Sequence, residues 1–182
     1  MPQLEIVTVP APILRQIARP VTRITDATRR LIGDMIETMH EAPGVGLAAP
    51  QVNIDQRIFV YDIGDGPDAI INPEIISRRG EECGLEGCLS IPRLEGEVKR
   101  AAFVEVSGLD RRGKRVRIRA NELLARVFQH EIDHLDGILF TDRAQPNSLH
   151  WITDEEIEER RRDREETVQG TRWSAGVPRT IS

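Results

Sequence analysis

Apolar residues recur with the period of an amphipathic helix in the segment that follows Thr25. They are Leu31, Ile32, Met35, Ile36 and Met39. Thr25 is a typical N-cap residue, and Pro43 with Gly44 marks the end of the pattern. The spacing therefore predicts a helix of about four turns with one buried face.

A second helical pattern begins after Asn121, which we interpret as its N-cap, and ends at Gly137. Its apolar positions are Leu123, Leu124, Val127, Phe128 and Ile132. Strands are predicted between the two helices at 57–62, 69–76, 98–109 and 116–120, and a turn with Gly113 joins the last two. The order predicts an α+β fold, with mostly antiparallel sheets packed around the second helix.

The chain changes character near its end. Residues 1–150 are predicted to form one catalytic domain, since 182 residues suffice for a single core. Residues 151–166 are dominated by charge and predict a polar surface helix, because only Ile157 is apolar in 154–166. Residues 167–182 predict a flexible tail.

Composition narrows the functional classes. A net charge of −5 argues against a direct nucleic-acid role, and no apolar run is long enough to span a membrane. Cys83 and Cys88 are too few for a disulfide framework, so we expect a reducing, cytoplasmic location.

The strongest chemical signal lies in the second predicted helix. His130 and His134 are four residues apart and share one helix face, with Glu131 beside them. Two such histidines can bind one metal ion, while the carboxylate moves a proton of the attacking water. The pattern therefore predicts a metal-dependent hydrolase.

The third protein ligand separates three alternatives. In a zinc peptidase, a third histidine would fall where Phe140 stands, and a downstream glutamate such as Glu155 or Glu156 would lie in the charged segment. A closed structural zinc site would use both cysteines with both histidines, and such a site does not need Glu131. A set of Cys88 with the two histidines keeps one metal position open for water, as catalysis requires.

Three motifs in this order resemble those of the peptide deformylases. They are GVGLAAPQ at 44–51, EGCLS at 86–90 and QHEIDH at 129–134, and the resemblance extends over about 7–142. It implies an enzyme that removes the formyl group from the N-terminal methionine of new polypeptides and releases formate. Its partners would be N-formylmethionyl nascent peptides.

The resemblance also assigns roles at the reacting centre. It implies that Cys88, His130 and His134 hold the metal, typically Fe2+, which Zn2+, Ni2+ or Co2+ can replace. Glu131 would be the general base, and the Leu89 N–H would stabilise the oxyanion together with the side-chain amide of Gln51.

Further residues are assigned by their position in the motifs. Gly44 and Gly46 would let the loop backbone approach the substrate, and the methionine slot would be lined by Val45, Leu123 and Val127. Arg126 could equally line the rim of the site or carry a solvated charge, and Glu86 would pair with Arg100. Cys83, His40 and His150 are expected to be bystanders at the surface.

One feature departs from part of the family. Some members contact the ribosome transiently through a basic C-terminal helix. Here the segment 154–166 holds eight acidic residues and four arginines, a charge balance that gives such a contact little support.

Overall fold

The structure is a computed structural model that describes residues 4–169, with side-chain positions to residue 163. In this range the helices are α1 (Asp26–Glu41), α2 (Glu122–Leu135) and α3 (Asp154–Gln169). The strands are β1 (Gly46–Ala48), β2 (Ile58–Tyr61), β3 (Asp68–Arg79), β4 (Glu82–Cys88), β5 (Ile91–Arg100), β6 (Phe103–Leu109), β7 (Arg115–Asn121) and β8 (His150–Trp151). The lead-in to α1 contains a short 3-10 helix, Pro12–Arg15.

Two antiparallel sheets form the body of the protein. One has the strand order β1-β2-β3-β6-β7 and the other the order β4-β5-β8. Helix α2 contacts β1, β2, β6 and β7, so that it is the central helix of the fold. The predicted α+β class with antiparallel sheets is confirmed.

Helix α1 begins as its sequence predicts. The Thr25 hydroxyl accepts a hydrogen bond from the Thr28 N–H, and the Thr28 hydroxyl accepts one from the Thr25 N–H, so two free amide donors are satisfied reciprocally. Ile32, Met35 and Met39 are buried against β1 and β2. This face fixes the helix against β1, which lies within the first motif, and against β2, which follows it.

Helix α2 is buried along most of its length, from Ala125 to Leu135. Its apolar side chains pack on Phe59, Ile70, Val104 and other residues of the large sheet. Asn121 occupies the N-cap position, as predicted, although its side chain makes no capping hydrogen bond.

The predicted strand at 98–109 is in fact two strands in different sheets. Strand β5 ends at Arg100 and β6 begins at Phe103. The two strands separate at Ala101, because its N–H and C=O groups both form hydrogen bonds with the side-chain amide of Gln129, at 3.0 and 2.9 Å. A buried amide on α2 thus replaces the sheet partner and allows the chain to change sheets.

Ion pairs link the charged C-terminal segment to the small sheet. Helix α3 extends to Gln169, three residues past the predicted segment, and Arg160 makes a two-pronged ion pair with the buried Glu95 of β5, at 2.6 and 2.9 Å. The predicted tail lies from residue 170 onward outside the described residues. Among the described helices, none combines the length and hydropathy that crossing a membrane requires.

Candidate active site

Strand β4 and helix α2 bring three metal-binding side chains together. Cys88 ends β4, while His130 and His134 lie one turn apart on α2. Their donor atoms all lie within 4.8 Å of one another, and the Cys88 Sγ is 3.3 Å from the His134 Nε2. All three residues are buried, so the predicted set converges in the protein interior.

The alternative third ligands do not join this cluster. Cys83 is exposed, and no group of donors that includes it is found among the described residues. Phe140 stacks on the His130 ring, with ring centres 6.4 Å apart. Glu156 binds His150 and the Thr153 N–H at the surface. Neither the peptidase arrangement nor the closed zinc site is formed by these side chains.

A carboxylate orients the first histidine. The Nδ1 of His130 lies 2.9 Å from the Glu86 Oε2, so the ring donates there and directs Nε2 toward the cluster. Glu86 also accepts two hydrogen bonds from Arg100 and one from Arg126, at 2.9, 2.9 and 2.8 Å. Burial raises the pKa of Glu86, but hydrogen bonds from Arg100 and His130 outweigh that effect and hold it well below its usual value.

Arg126 is neither at the rim nor solvated. Its side chain is 9 % exposed and donates to Glu86 and to the carbonyl oxygens of Glu82 and Val98, at 3.0 and 2.9 Å for the carbonyls. A Cβ at position 84 would lie 2.9 Å from the Arg126 Cζ, so Gly84 makes room for the guanidinium. Arg126 therefore ties β4 and β5 to α2.

The donor chemistry of the cluster fits a divalent cation. At the cluster and beside it, three residues carry buried side-chain atoms without a hydrogen-bond partner among the described residues: His130 at Nε2, Glu131 at both carboxylate oxygens and His134 at Nδ1. Burial raises the pKa of the Cys88 thiol to about 12 and that of Glu131 well above its usual value, and it lowers the pKa of His134. A bound cation would satisfy Nε2 and favour the Cys88 thiolate, reversing the effect of burial on the thiol.

Glu131 lies against the first motif. Its side chain is fully buried, and a Cβ at position 46 would be 2.9 Å from its Cδ. Position 46 therefore requires glycine, because any side chain there would overlap the Glu131 carboxylate. Gly44 lies in the partly exposed loop between α1 and β1.

Gln51 places an amide donor beside the cysteine. Its Oε1 accepts a hydrogen bond from the Ala48 N–H at 2.9 Å, which fixes the side chain. Its Nε2 then lies 3.6 Å from the Cys88 Sγ and 3.3 Å from the Ser90 hydroxyl oxygen. Leu89 stands in the turn between β4 and β5, next to the cysteine.

An apolar cluster adjoins these residues. Val45 and Val127 are buried together, with the partly buried Tyr61 and Ile63 packed against them. Leu123 lies outside this cluster and is 36 % exposed in the first turn of α2. Sequence reasoning missed Tyr61 and Ile63, although the alternation along β2 places Tyr61 on the same face of the sheet as Phe59. Ile63 follows the end of β2, where no strand pattern could have indicated it.

Two remaining histidines are distant from this chemistry. His40 lies 3.0 Å from the Asp62 carboxylate and His150 lies 3.0 Å from that of Glu156. Both side chains are nearly half exposed.

Comparison with known proteins agrees with this geometry. The family model described as polypeptide deformylase matches residues 3–150. A peptide deformylase of Halothermothrix orenii is 57% identical over 146 residues, which cover 79% of this chain and 95% of that protein. One from Alkaliphilus metalliredigens is 56% identical over 132 residues, covering 72% and 90%.

A solved structure is similar as well. The crystal structure of peptide deformylase from Thermotoga maritima matches with a TM-score of 0.79 and 45% identity, covering 80% of this chain and 100% of that one. The matched residues 3–150 include all three motifs and the donor cluster. The chain therefore belongs to the peptide deformylase family, metalloenzymes that remove the N-formyl group from nascent polypeptides.

Proposed function

We propose that this deformylase holds one Fe2+ ion with Cys88, His130 and His134 and uses Glu131 as its general base. The observation that carries the proposal is the buried cluster of three donors, with Glu131 beside it. When bound, the ion supplies a Lewis acid that acidifies water and polarises a carbonyl oxygen. Fe2+ itself is inferred from the family resemblance.

The same donors suit other divalent ions. Affinity order favours Zn2+ over Fe2+, and Ni2+ and Co2+ also bind thiolate and imidazole. The ion recovered after purification therefore reports availability as well as function. A single thiolate gives the site one negative ligand charge, fewer than a site with two cysteines.

Glu131 moves the proton. Burial raises the pKa of Glu131 well above the usual carboxylate value, which makes the carboxylate a stronger base. It takes a proton from the attacking water and delivers it to the departing amine nitrogen. The C–N bond of the formamide breaks, formate leaves, and the methionine amine is set free.

Two donors stabilise the negative charge that develops on the formyl oxygen. They are the side-chain amide of Gln51 and the backbone N–H of Leu89. Because Ala48 holds the Gln51 side chain, its amide needs no reorganisation when charge develops. Loss of one such donor typically costs about 10²–10³ in rate.

The methionine side chain fits the apolar cluster. Val45 and Val127 form its floor, and we place Leu123 at its exposed edge, in the first turn of α2. Gly44 and Gly46 allow the substrate backbone to approach the loop.

Partners and location follow from the reaction. The substrates are formylated nascent peptides, and we propose that the enzyme acts on them in the cytoplasm. A transient contact with the ribosome through α3 has little support, because eight acidic residues outnumber four arginines in 154–166.

Anaerobic assay of the metal-free protein with defined ions added back tests the proposal. Formate release from formyl-Met-Ala-Ser should return with one Fe2+ per chain, and unformylated peptides should not be cleaved. Cys88→Ser should lose the ion, while the matched variant Cys83→Ser should keep both ion and activity. Retention of the ion and full turnover by Cys88→Ser would contradict the assignment.

A further inference from the structure

A row of paired charged side chains runs from the metal cluster to the protein surface. It begins at His130, whose Nδ1 contacts Glu86, and it continues from Glu86 to Arg100. Arg100 also donates to Asp133 on α2, and Asp133 binds Arg143. The first four members of this ion-pair row are buried, whereas the Arg143 side chain is 44 % exposed. The row therefore connects a metal-binding histidine with a side chain in water.

Arg100 binds two carboxylates at once. Its Nε and Nη2 donate to the two oxygens of Glu86, both at 2.9 Å, and its Nη1 donates to the Oδ2 of Asp133. The guanidinium group is planar and rigid, so a rotation toward one carboxylate displaces the donors that serve the other. The positions of Glu86 and Asp133 are therefore coupled through Arg100.

Arg143 fixes the outer carboxylate of the row. Its Nε and Nη2 donate to Oδ2 and Oδ1 of Asp133, at 2.6 and 2.7 Å, and such a two-pronged contact sets the plane of the carboxylate. The Asp133 side chain is only 10 % exposed, so water has little access to replace these donors. Without Arg143, the Asp133 carboxylate would be free to turn toward Arg100 and to draw its guanidinium away from Glu86.

The backbone holds Arg143 beside the metal cluster. The residue directly follows a short 3-10 helix, Phe140–Asp142, and its N–H donates to the Phe140 carbonyl oxygen at 3.0 Å. Phe140 itself stacks on the His130 ring. One short segment therefore touches a metal-binding histidine directly and also supplies the outer arginine of the row.

The charge of Arg143 and its orienting effect predict opposite changes in metal affinity. A guanidinium group near a divalent cation repels it, so removing the charge alone would strengthen metal binding. Loss of orientation would weaken binding, because Glu86 holds the Nδ1 of His130 and thereby directs Nε2 to the cluster. The sign of the change therefore distinguishes the two effects.

We infer that Arg143 is a positioning residue of the metal site. It acts on the Glu86 carboxylate through Asp133 and Arg100, and that carboxylate in turn orients His130. The inference rests on the proposed function, because it requires that His130 is a metal ligand. Loss of a direct partner of a metal ligand costs about 10–100-fold in metal affinity, and we expect about 3–10-fold for Arg143, which lies further from the ligand.

The test measures the affinity of the metal-free protein for Co2+ by competition with a chelator. In Arg143→Met the dissociation constant should rise by about 3–10-fold, and the visible absorption spectrum of bound Co2+ should change because one imidazole is less well oriented. Arg143→Lys keeps a cation beside Asp133 and should restore part of the affinity. Urea unfolding of the metal-free variants verifies that each is folded during the titration.

Arg57→Met is the matched control. Arg57 donates to the Leu135 carbonyl oxygen at 3.1 Å and pairs with Asp136 at 2.8 Å, so it also binds the C-terminal end of α2 through a carboxylate. Asp136 does not belong to the ion-pair row. This variant therefore loses a comparable ion pair and should bind Co2+ as the parent does.

The possible outcomes separate this inference from the proposed function. If the parent binds one Co2+ per chain and Arg143→Met binds it equally or more tightly, the positioning role is overturned and the ligand set stands. An equal loss of affinity in Arg57→Met would also overturn it, because the effect would then be a general one on α2. A parent protein that binds no Co2+ would contradict the proposed ligands and, with them, the role of Arg143.

Discussion

Replacing Arg126 with methionine tests the buried charge network that orients the metal cluster. Methionine keeps the apolar stem of the side chain and removes the guanidinium. Glu86 then loses one cation and retains Arg100 and His130. The carbonyl oxygens of Glu82 and Val98 lose their donor from α2.

The cost can be estimated from these contacts. A hydrogen bond to a charged group contributes about 1.5–3 kcal/mol, and a buried acceptor left without its partner costs about 1–3 kcal/mol. Contributions within one network do not add fully, and breaking one partner from a buried ion pair costs about 3–5 kcal/mol. We therefore expect Arg126→Met to lower the free energy of unfolding by about 3–5 kcal/mol.

Equilibrium unfolding in urea, with both proteins in the same metal state, measures this difference. At an m-value of about 2 kcal/mol per M the midpoint should fall by about 1.5–2.5 M. The control Arg30→Met, at an exposed position on α1, should change the unfolding free energy by less than about 0.5 kcal/mol. A loss below about 1 kcal/mol in Arg126→Met would refute the reasoning that the network is strongly coupled.

Three further predictions concern the base, acid stability and the C-terminal helix. Gly46→Ala should lower kcat by about 10²-fold with the metal content unchanged, because the new Cβ displaces the Glu131 carboxylate. A kcat within about twofold of the parent value would contradict this prediction. Because folding lowers the pKa of Glu86, the stability that its carboxylate contributes should be complete above about pH 4.5 and should decrease as the pH falls below that value. In Glu86→Gln the urea midpoint should therefore depend less on pH below about 4.5. An unchanged pH dependence in this variant would count against the pairing of Glu86 with its cations. Arg160→Ala should lower the free energy of unfolding by about 1–2 kcal/mol, because it leaves the buried Glu95 without its cation while Arg160 itself is one third exposed. Arg160→Lys should restore part of this stability. An unchanged Tm of Arg160→Ala in thermal unfolding would show that the ion pair contributes nothing.

Local patterns predict the helices better than the strands. Helix α1 follows from its apolar spacing and its Thr25 cap, both of which involve neighbours in sequence. The break between β5 and β6 depends on Gln129, which is 28 residues from Ala101, so no local pattern could reveal it. Strand β4 was missed for a similar reason, since Gly84 and Gly87 disfavour a strand and pairing with β5 forms it.

The site was predictable to different degrees. The spacing of His130 and His134 identifies two donors without a structure, because a helix places them on one face. Cys88 comes from another element, so the residues alone left the third donor open and the family resemblance was needed. Arg126 was misjudged because its surroundings, Glu86 and the carbonyls of β4 and β5, are assembled only by folding.

Turnover of Glu131→Gln, loaded anaerobically with one Fe2+ per chain, tests the mechanism most directly. Glutamine preserves the shape of the side chain and leaves all three donors in place, so the ion should be retained. The account predicts that formate release from formyl-Met-Ala-Ser then falls to near the uncatalysed background. Turnover close to that of the parent enzyme, with the ion still bound, would remove Glu131 from the proton transfer and contradict the account.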